Sequence, residues 1–280
     1  MTIARPRRSA LYLPASNARA IEKARTLDAD VVILDLEDAV APEMKAQARE
    51  QAVQAAREGG FGGRELVIRV NALDTEWGAD DISAVAGAGA DAILAPKVSS
   101  AEDVAAYRAR LANAPLWVMI ETCASLFRLE QIAAAGPACL VMGTNDLAKE
   151  MRAPLTRKRT VFHPALAMTV AAARSAGIAV LDGVCNEIED QPILDEACRQ
   201  GVEFGFDGKT LIHPAQIAIC NAAFAPSLEA LAHARAVIAA FADPDNAGRG
   251  AIRVQGKMAE RLHLAEAERL VAVAAAIAER

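Results

Sequence analysis

The sequence predicts an α/β protein built as a closed eight-stranded barrel, (β/α)8, with a C-terminal helical extension. Three observations point there. Eight short apolar runs alternate with segments that favour helix, the pattern of a parallel sheet covered on both faces. Eight such units occupy about 220 residues, the span of one barrel of this kind. The first run lacks the G-x-G-x-x-G turn that opens a dinucleotide-binding sheet.

The candidate strands are Ala10–Leu13, Val31–Leu34, Leu66–Val70, Ala92–Ala95, Leu116–Ile120, Cys139–Met142, Ile178–Leu181 and Val202–Phe206. Between them lie segments such as Glu43–Arg57, Ala101–Leu111 and Ala165–Ala176. Their Ala, Leu, Glu, Gln and Arg favour helix, and their apolar positions recur at three and four. Glycines such as Gly59, Gly136, Gly177 and Gly201 are placed to cap these helices. The cluster Gly59–Gly63 precedes a strand, so it reads as a turn rather than a phosphate cradle. Beyond the eighth run, Leu228–Phe241 reads as an extra helix and Asp243–Gly250 as an exposed linker. Ala251–Val254 reads as a brief strand and Glu260–Ala278 as a terminal helix. The expected divisions are a barrel over 1–225, the extra helix over 226–243 and a C-terminal segment over 244–280. That last segment is too small for its own core and is expected to pack on the barrel or on a neighbouring subunit.

Hydrophobic residues make up 53% of the 280 residues and charged residues 24%, enough to bury a large core, which excludes disorder as the main state. Aromatics at 4% argue against a base-stacking surface, and a net charge of −6 supplies no general attraction for nucleic acid or anionic membrane. The five cysteines are odd in number and form no C-x-x-C pair, which disfavours a disulfide framework or zinc knuckle. The N-terminus lacks a signal-peptide pattern, and no uninterrupted apolar run reaches the roughly 18 residues of a membrane span. A cytoplasmic protein with neither nucleic-acid nor membrane partners is expected.

Active sites of such barrels sit at the C-terminal ends of the strands. The residues there are Asp35-Leu36-Glu37-Asp38, Arg69 with Asn71, Lys97, Glu121-Thr122, Gly143-Thr144-Asn145-Asp146 and Asp182. Glu121 and Asp146 follow sequential strands, so their carboxylates can share one Mg²⁺, with no His or Cys nearby to prefer zinc. The alternative is a solvated Glu121 and an Asp146 that caps a helix. Glu37 and Asp38 would orient the waters of that metal, or simply form a polar loop. Arg69 lies inside an apolar strand and needs a partner. It either holds a substrate carboxylate or enolate oxygen, or pairs with a rim acid such as Glu37. For Lys97 and Lys209 a solvated or salt-bridged lysine is the simpler reading than a Schiff base. The basic stretch Lys149–Arg159 is either a loop that meets a phosphorylated ligand or a solvated loop. His163, His213, His233 and His263 show no metal-ligand spacing.

These residues also resemble a known family. Arg8-Ser9 with Leu11-Tyr12-Leu13-Pro14, Asp35-Leu36-Glu37-Asp38-Ala39-Val40, Arg69-Val70-Asn71, Ile120-Glu121-Thr122 and Gly143-Thr144-Asn145-Asp146 are similar to the citrate lyase β-subunit-like CoA-ester lyases. That family includes malyl-CoA and citramalyl-CoA lyases, within the HpcH/HpaI aldolase group. Asp207-Gly208-Lys209-Thr210 with Ile212-His213-Pro214 adds a late match, so the resemblance runs along nearly the whole chain. It implies a TIM barrel that binds Mg²⁺ through Glu121 and Asp146, with Arg69 on the substrate and a homotrimer or hexamer as the assembly. It implies a lyase that splits a 3-hydroxy-acyl-CoA into an acyl-CoA and a 2-oxo acid. Alternatives are a malyl-CoA thioesterase, a citrate lyase β subunit acting on an acyl-carrier thioester, or a ligand-binding scaffold. Gly256-Lys257-Met258-Ala259-Glu260 resembles the family's Gly-Lys-Met-x-Asp stretch, which makes Glu260 the expected catalytic acid, one methylene longer than the usual Asp. Ala15 stands where the family commonly has Gly, and Arg8 is the expected contact to the CoA phosphates.

Overall fold

The structure is a computed structural model and describes residues 5–111 and 114–279. The chain divides into two compact units, Arg7–Phe224 and a second that joins the described residues before Arg7 to those from Ala225 onward.

The first unit is the barrel. Its strands are β1 (Ser9–Pro14), β2 (Val31–Asp35), β3 (Glu65–Arg69), β4 (Ala92–Ala95), β5 (Leu116–Ile120), β6 (Cys139–Met142), β7 (Ala179–Asp182) and β8 (Gly208–Leu211). They pair in chain order, all parallel, and β8 closes on β1 through Ser9↔Lys209, Ala10↔Thr210 and Leu11↔Leu211. The period of two along each strand sorts the side chains. Ala10, Val31, Ile33, Val67, Leu94, Trp117, Met119, Val141 and Leu181 fill the barrel interior. Their alternates, among them Leu11, Val32, Leu34, Ile68, Ile93, Val118, Leu140 and Val180, pack against the surrounding helices. Two apolar layers on one strand explain why these runs read as continuous rather than alternating. Below the strands, Arg7 lies 4.9 Å from the Trp117 ring and bonds Glu65 at 2.6 and 2.8 Å.

Seven of the eight expected strands stand where the apolar runs placed them. The eighth does not. Val202–Phe206 falls on the end of the helix Gln191–Phe204 and the turn after it, where Gly205 at φ +90° is the left-handed cap. Gly201, read as a cap, lies inside that helix. The true β8 is polar, and its buried Lys209 donates to Asp182 at 2.8 Å. Asp182 also accepts two bonds from Arg159, at 2.7 and 2.9 Å. Paired charges replace apolar side chains at this strand, which hides it from a hydropathy pattern.

The second unit contains the helix Leu228–Ala242, an antiparallel hairpin of β9 (Ala251–Val254) and β10 (Lys257–Glu260), and the helix Arg261–Ala278. Gln255 and Gly256 make the hairpin turn with φ of +50° and +81°. The segment 244–280 shares its apolar contacts with the helix Leu228–Ala242. Ala234, Val237, Ile252, Val254, Ala259 and Ala267 form an apolar cluster of their own, because two helices over a hairpin cover its inward face. The apolar stretch Pro214–Ala242 is long enough to suggest a membrane span. It is nevertheless two helices, Ile217–Phe224 and Leu228–Ala242, and neither reaches the roughly 20 residues a bilayer requires.

Candidate active site

Strand parity carries the barrel's inward-facing series up to its mouth. Tyr12, Asp35, Arg69 and, one residue past β5, Glu121 continue that series. With Asp38, Thr144, Asn145 and Asp146 they line a cavity of about 300 Å³. Asp35 and Arg69 are register partners across β2 and β3. The Arg69 Nε and Nη2 each donate to Asp35 at 2.7 Å, and the Tyr12 ring lies 4.8 Å from the guanidinium. The third nitrogen, Nη1, faces Glu37 Oε2 at 2.9 Å. Asp35 also accepts the N–H groups of Glu37 and Ala39, at 2.9 and 3.0 Å. Burial acts to raise the Asp35 carboxyl. Arg69 and the two N–H donors outweigh it and hold the group below the usual carboxylate range.

Asp35 thereby orders the loop that carries Glu37 and Asp38, and Lys45 supports the same loop from beneath. Its buried ammonium donates to the carbonyls of Leu36 and Glu37 and to Asn71 Oδ1, all at 2.7 Å. Asn71 is fixed in turn by Asp81, which takes its N–H at 2.9 Å and its Nδ2 at 2.6 Å.

Glu121 is buried, and its Oε1 accepts the Lys97 N–H at 2.8 Å. Gly143 leaves the space for this carboxylate: a Cβ there would stand 2.5 Å from both the Cβ and the Oε2 of Glu121. Asp146 is in the first turn of the helix Thr144–Met151 but does not cap it, and its carboxylate bonds the Lys97 ammonium. That ammonium also lies 3.4 Å from Glu121 and 3.9 Å from Glu37. Glu121 and Asp146, 25 residues apart in sequence, thus face one point. Lys97 takes the salt-bridged alternative. Burial raises the Glu121 carboxyl, with Lys97 opposing. Burial also pushes Glu37 up to about 8, opposed by Arg69 and assisted by Glu121 and Asp38.

The mouth suits a hard divalent cation. Even with Glu37 neutral, Asp35, Asp38, Glu121 and Asp146 outnumber Arg69, Lys97 and the Lys45 ammonium beneath, so negative charge is in excess, and every candidate donor is oxygen. Among the described residues no group of three or more His, Cys, Asp or Glu side chains closes around a single point as a complete metal cage. Two carboxylates, water and substrate oxygens remain the fitting set. Thr144 Oγ1 is buried without a hydrogen-bond partner, as expected where a ligand or its water is to be met.

The other expected residues lie elsewhere. Asp38 is 63% exposed and 3.9 Å from Arg69, a looser neighbour than Glu37. Arg8 precedes the first residue of β1, at the barrel end opposite the mouth. Its Nε and Nη2 both donate to Asp30, at 2.9 Å. The guanidinium is committed to a buried carboxylate away from the strand ends, which lends no support to the expected CoA contact. The basic stretch Lys149–Arg159 is likewise not simply solvated, because Arg159 is buried on Asp182. Glu260 belongs to the second unit, where it precedes the helix Arg261–Ala278 and its N–H donates to His263 Nδ1 at 2.9 Å. Lys45 was not foreseen at the site, and Asp35 and Lys97 were placed on the rim without the roles they take. Asp35 was within reach, since it continues the parity of Val31 and Ile33.

Fold and mouth together define a (β/α)8 barrel of the enzyme type, with an acidic, arginine-bearing opening. Residues 8–214 match the model of the HpcH/HpaI aldolase/citrate lyase family, and the chain belongs to that family. It is 45% identical over 276 residues to a (3S)-malyl-CoA thioesterase of Cereibacter sphaeroides, covering 98% of this chain and 97% of the relative. It is 35% identical to an L-malyl-CoA/beta-methylmalyl-CoA lyase of the same species, covering 96% and 94%. Among solved structures, it is similar to the CitE protein of Mycobacterium tuberculosis in complex with magnesium, acetoacetate and coenzyme A. The TM-score is 0.80 and the identity 32%, over 98% of this chain and 100% of that one.

Proposed function

We propose that this protein is a Mg²⁺-dependent hydrolase of malyl-CoA, releasing malate and free CoA. The end-to-end 45% identity to (3S)-malyl-CoA thioesterases carries this reading. It reverses the order reached from sequence, in which carbon–carbon cleavage came first. Glu121 and Asp146 would hold the cation, the group bound by the similar CitE structure. When bound, it supplies Lewis acidity and a template for the substrate's oxygens. Arg69, fixed on Asp35, presents Nη1 to a substrate carboxylate or to the oxyanion that forms as the thioester is attacked. Tyr12 and Met119 line the cavity, and the nucleophile is a water molecule that adds to the thioester carbonyl as the CoA thiolate leaves. Glu260, supplied within an oligomer, is the proposed proton carrier.

The lyase reading is second, supported by the 35% identity to malyl-CoA lyases over nearly the full chain. One assay separates the two. With malyl-CoA and Mg²⁺, a hydrolase releases free thiol and no glyoxylate, whereas a lyase yields acetyl-CoA and glyoxylate, which is trapped as its phenylhydrazone. Glyoxylate in proportion to substrate consumed would overturn the hydrolase assignment.

A further inference from the structure

We propose that Lys97 is a built-in counter-ion that occupies the metal position when no divalent ion is bound and must leave it when one binds. The inference rests on the reading that Glu121 and Asp146 hold that metal. Its ammonium bonds Asp146 and stands 3.4 Å from Glu121, so it sits between the two carboxylates assigned to the cation. Both cations cannot share this junction. They repel each other, and Mg²⁺ draws its oxygens in to about 2.0–2.1 Å, closer than an ammonium does.

Of the two positive side chains at the mouth, only Lys97 is placed to move. Arg69 is 10% exposed and held by two bonds to Asp35, whereas the Lys97 side chain is 37% exposed. The rest of Lys97 is anchored independently of its ammonium. Its backbone takes the left-handed conformation, φ +54°, and its N–H holds Glu121 Oε1 at 2.8 Å. Withdrawal of the side chain therefore leaves the Glu121 carboxylate oriented for the incoming ion. The exchange adds positive charge to the mouth and frees an ammonium beside it, so metal entry prepares the site for an anionic substrate.

Calorimetric titration of the metal-free, full-length protein with MgCl₂ tests this without turnover. K97M keeps the main-chain bond to Glu121 and loses the competitor. It should bind Mg²⁺ at least tenfold tighter than wild type, whereas Glu121→Gln should lose binding. Equal or weaker binding by K97M, with wild type binding normally, would overturn the inference alone. If neither wild type nor K97M binds Mg²⁺, the metal assignment itself falls, and the inference with it. Acylation of wild-type lysines, read by mass spectrometry, is independent of any variant. Saturating Mg²⁺ should speed modification of Lys97 severalfold relative to the exposed Lys149 and Lys158. An unchanged ratio would show that the ammonium does not leave.

Discussion

Gly143→Ala offers a direct test of how the mouth is built. The added Cβ would lie 2.5 Å from Glu121 Cβ and Oε2 and 3.0 Å from Met119 Cε. Carbon atoms rest at about 3.5–4.0 Å, so Glu121 has to retreat by about 1 Å. That retreat stretches the 2.8 Å bond from the Lys97 N–H and turns the carboxylate away from Asp146. Overpacking of this kind costs about 1–3 kcal/mol. Misplacing a ligating group by about 1 Å can lower turnover about a hundredfold. Chemical denaturation should show the stability loss, and thiol release from malyl-CoA should show the larger functional loss. Gly87→Ala is the control: nothing lies within 4 Å of its Cβ, so it should be neutral or stabilising by up to about 1 kcal/mol. Wild-type turnover in Gly143→Ala would refute the claim that this glycine sets the position of Glu121, or that Glu121 belongs to the reacting site.

Three further outcomes follow from the buried polar groups. Arg69→Met leaves Asp35 charged and unpaired, so stability should fall by about 3–5 kcal/mol and turnover should vanish; a melt and an activity assay check both. Lys45→Met strips a donor from Leu36 O, Glu37 O and Asn71 Oδ1; Leu36 O keeps Asn71 Nδ2 and Glu37 O keeps the Val40 N–H, so the cost is that of a dry Asn71 Oδ1, about 1–3 kcal/mol; denaturant midpoints measure it. Asp182 supplies the pH dependence. Burial acts to raise its carboxyl, but Lys209 and Arg159 hold it below the ordinary value. The folded state therefore binds fewer protons than the unfolded one. The stabilisation is complete above the unfolded value of about 3.9 and is lost as pH falls through the folded value. Asp182→Asn should flatten the acid limb of a Tm–pH curve and lower the plateau; an acid limb as steep as wild type would remove Asp182 as its source.

The sequence determined the barrel because its signals are local. Parallel strands covered on both faces produce apolar runs, and the helices between them produce periodicity and caps, all within about fifteen residues of chain. Locating the strand ends then placed Arg69, Glu121 and Asp146 at the mouth, since a parallel barrel sends every strand's C-terminus to one rim. Tertiary structure decided what depends on register and on charge neutralised from a distance. Asp35 meets Arg69 because β2 and β3 align those two residues, a fact absent from either segment alone. Lys209 passes as a strand residue only because Asp182, 27 positions earlier, neutralises it inside the fold. Arg8 looked free to meet a phosphate until Asp30 claimed it, and Lys97 read as either solvated or salt-bridged until three acidic side chains gathered around it. A buried charge has no local signature, because the partner that makes its burial tolerable comes from elsewhere in the chain.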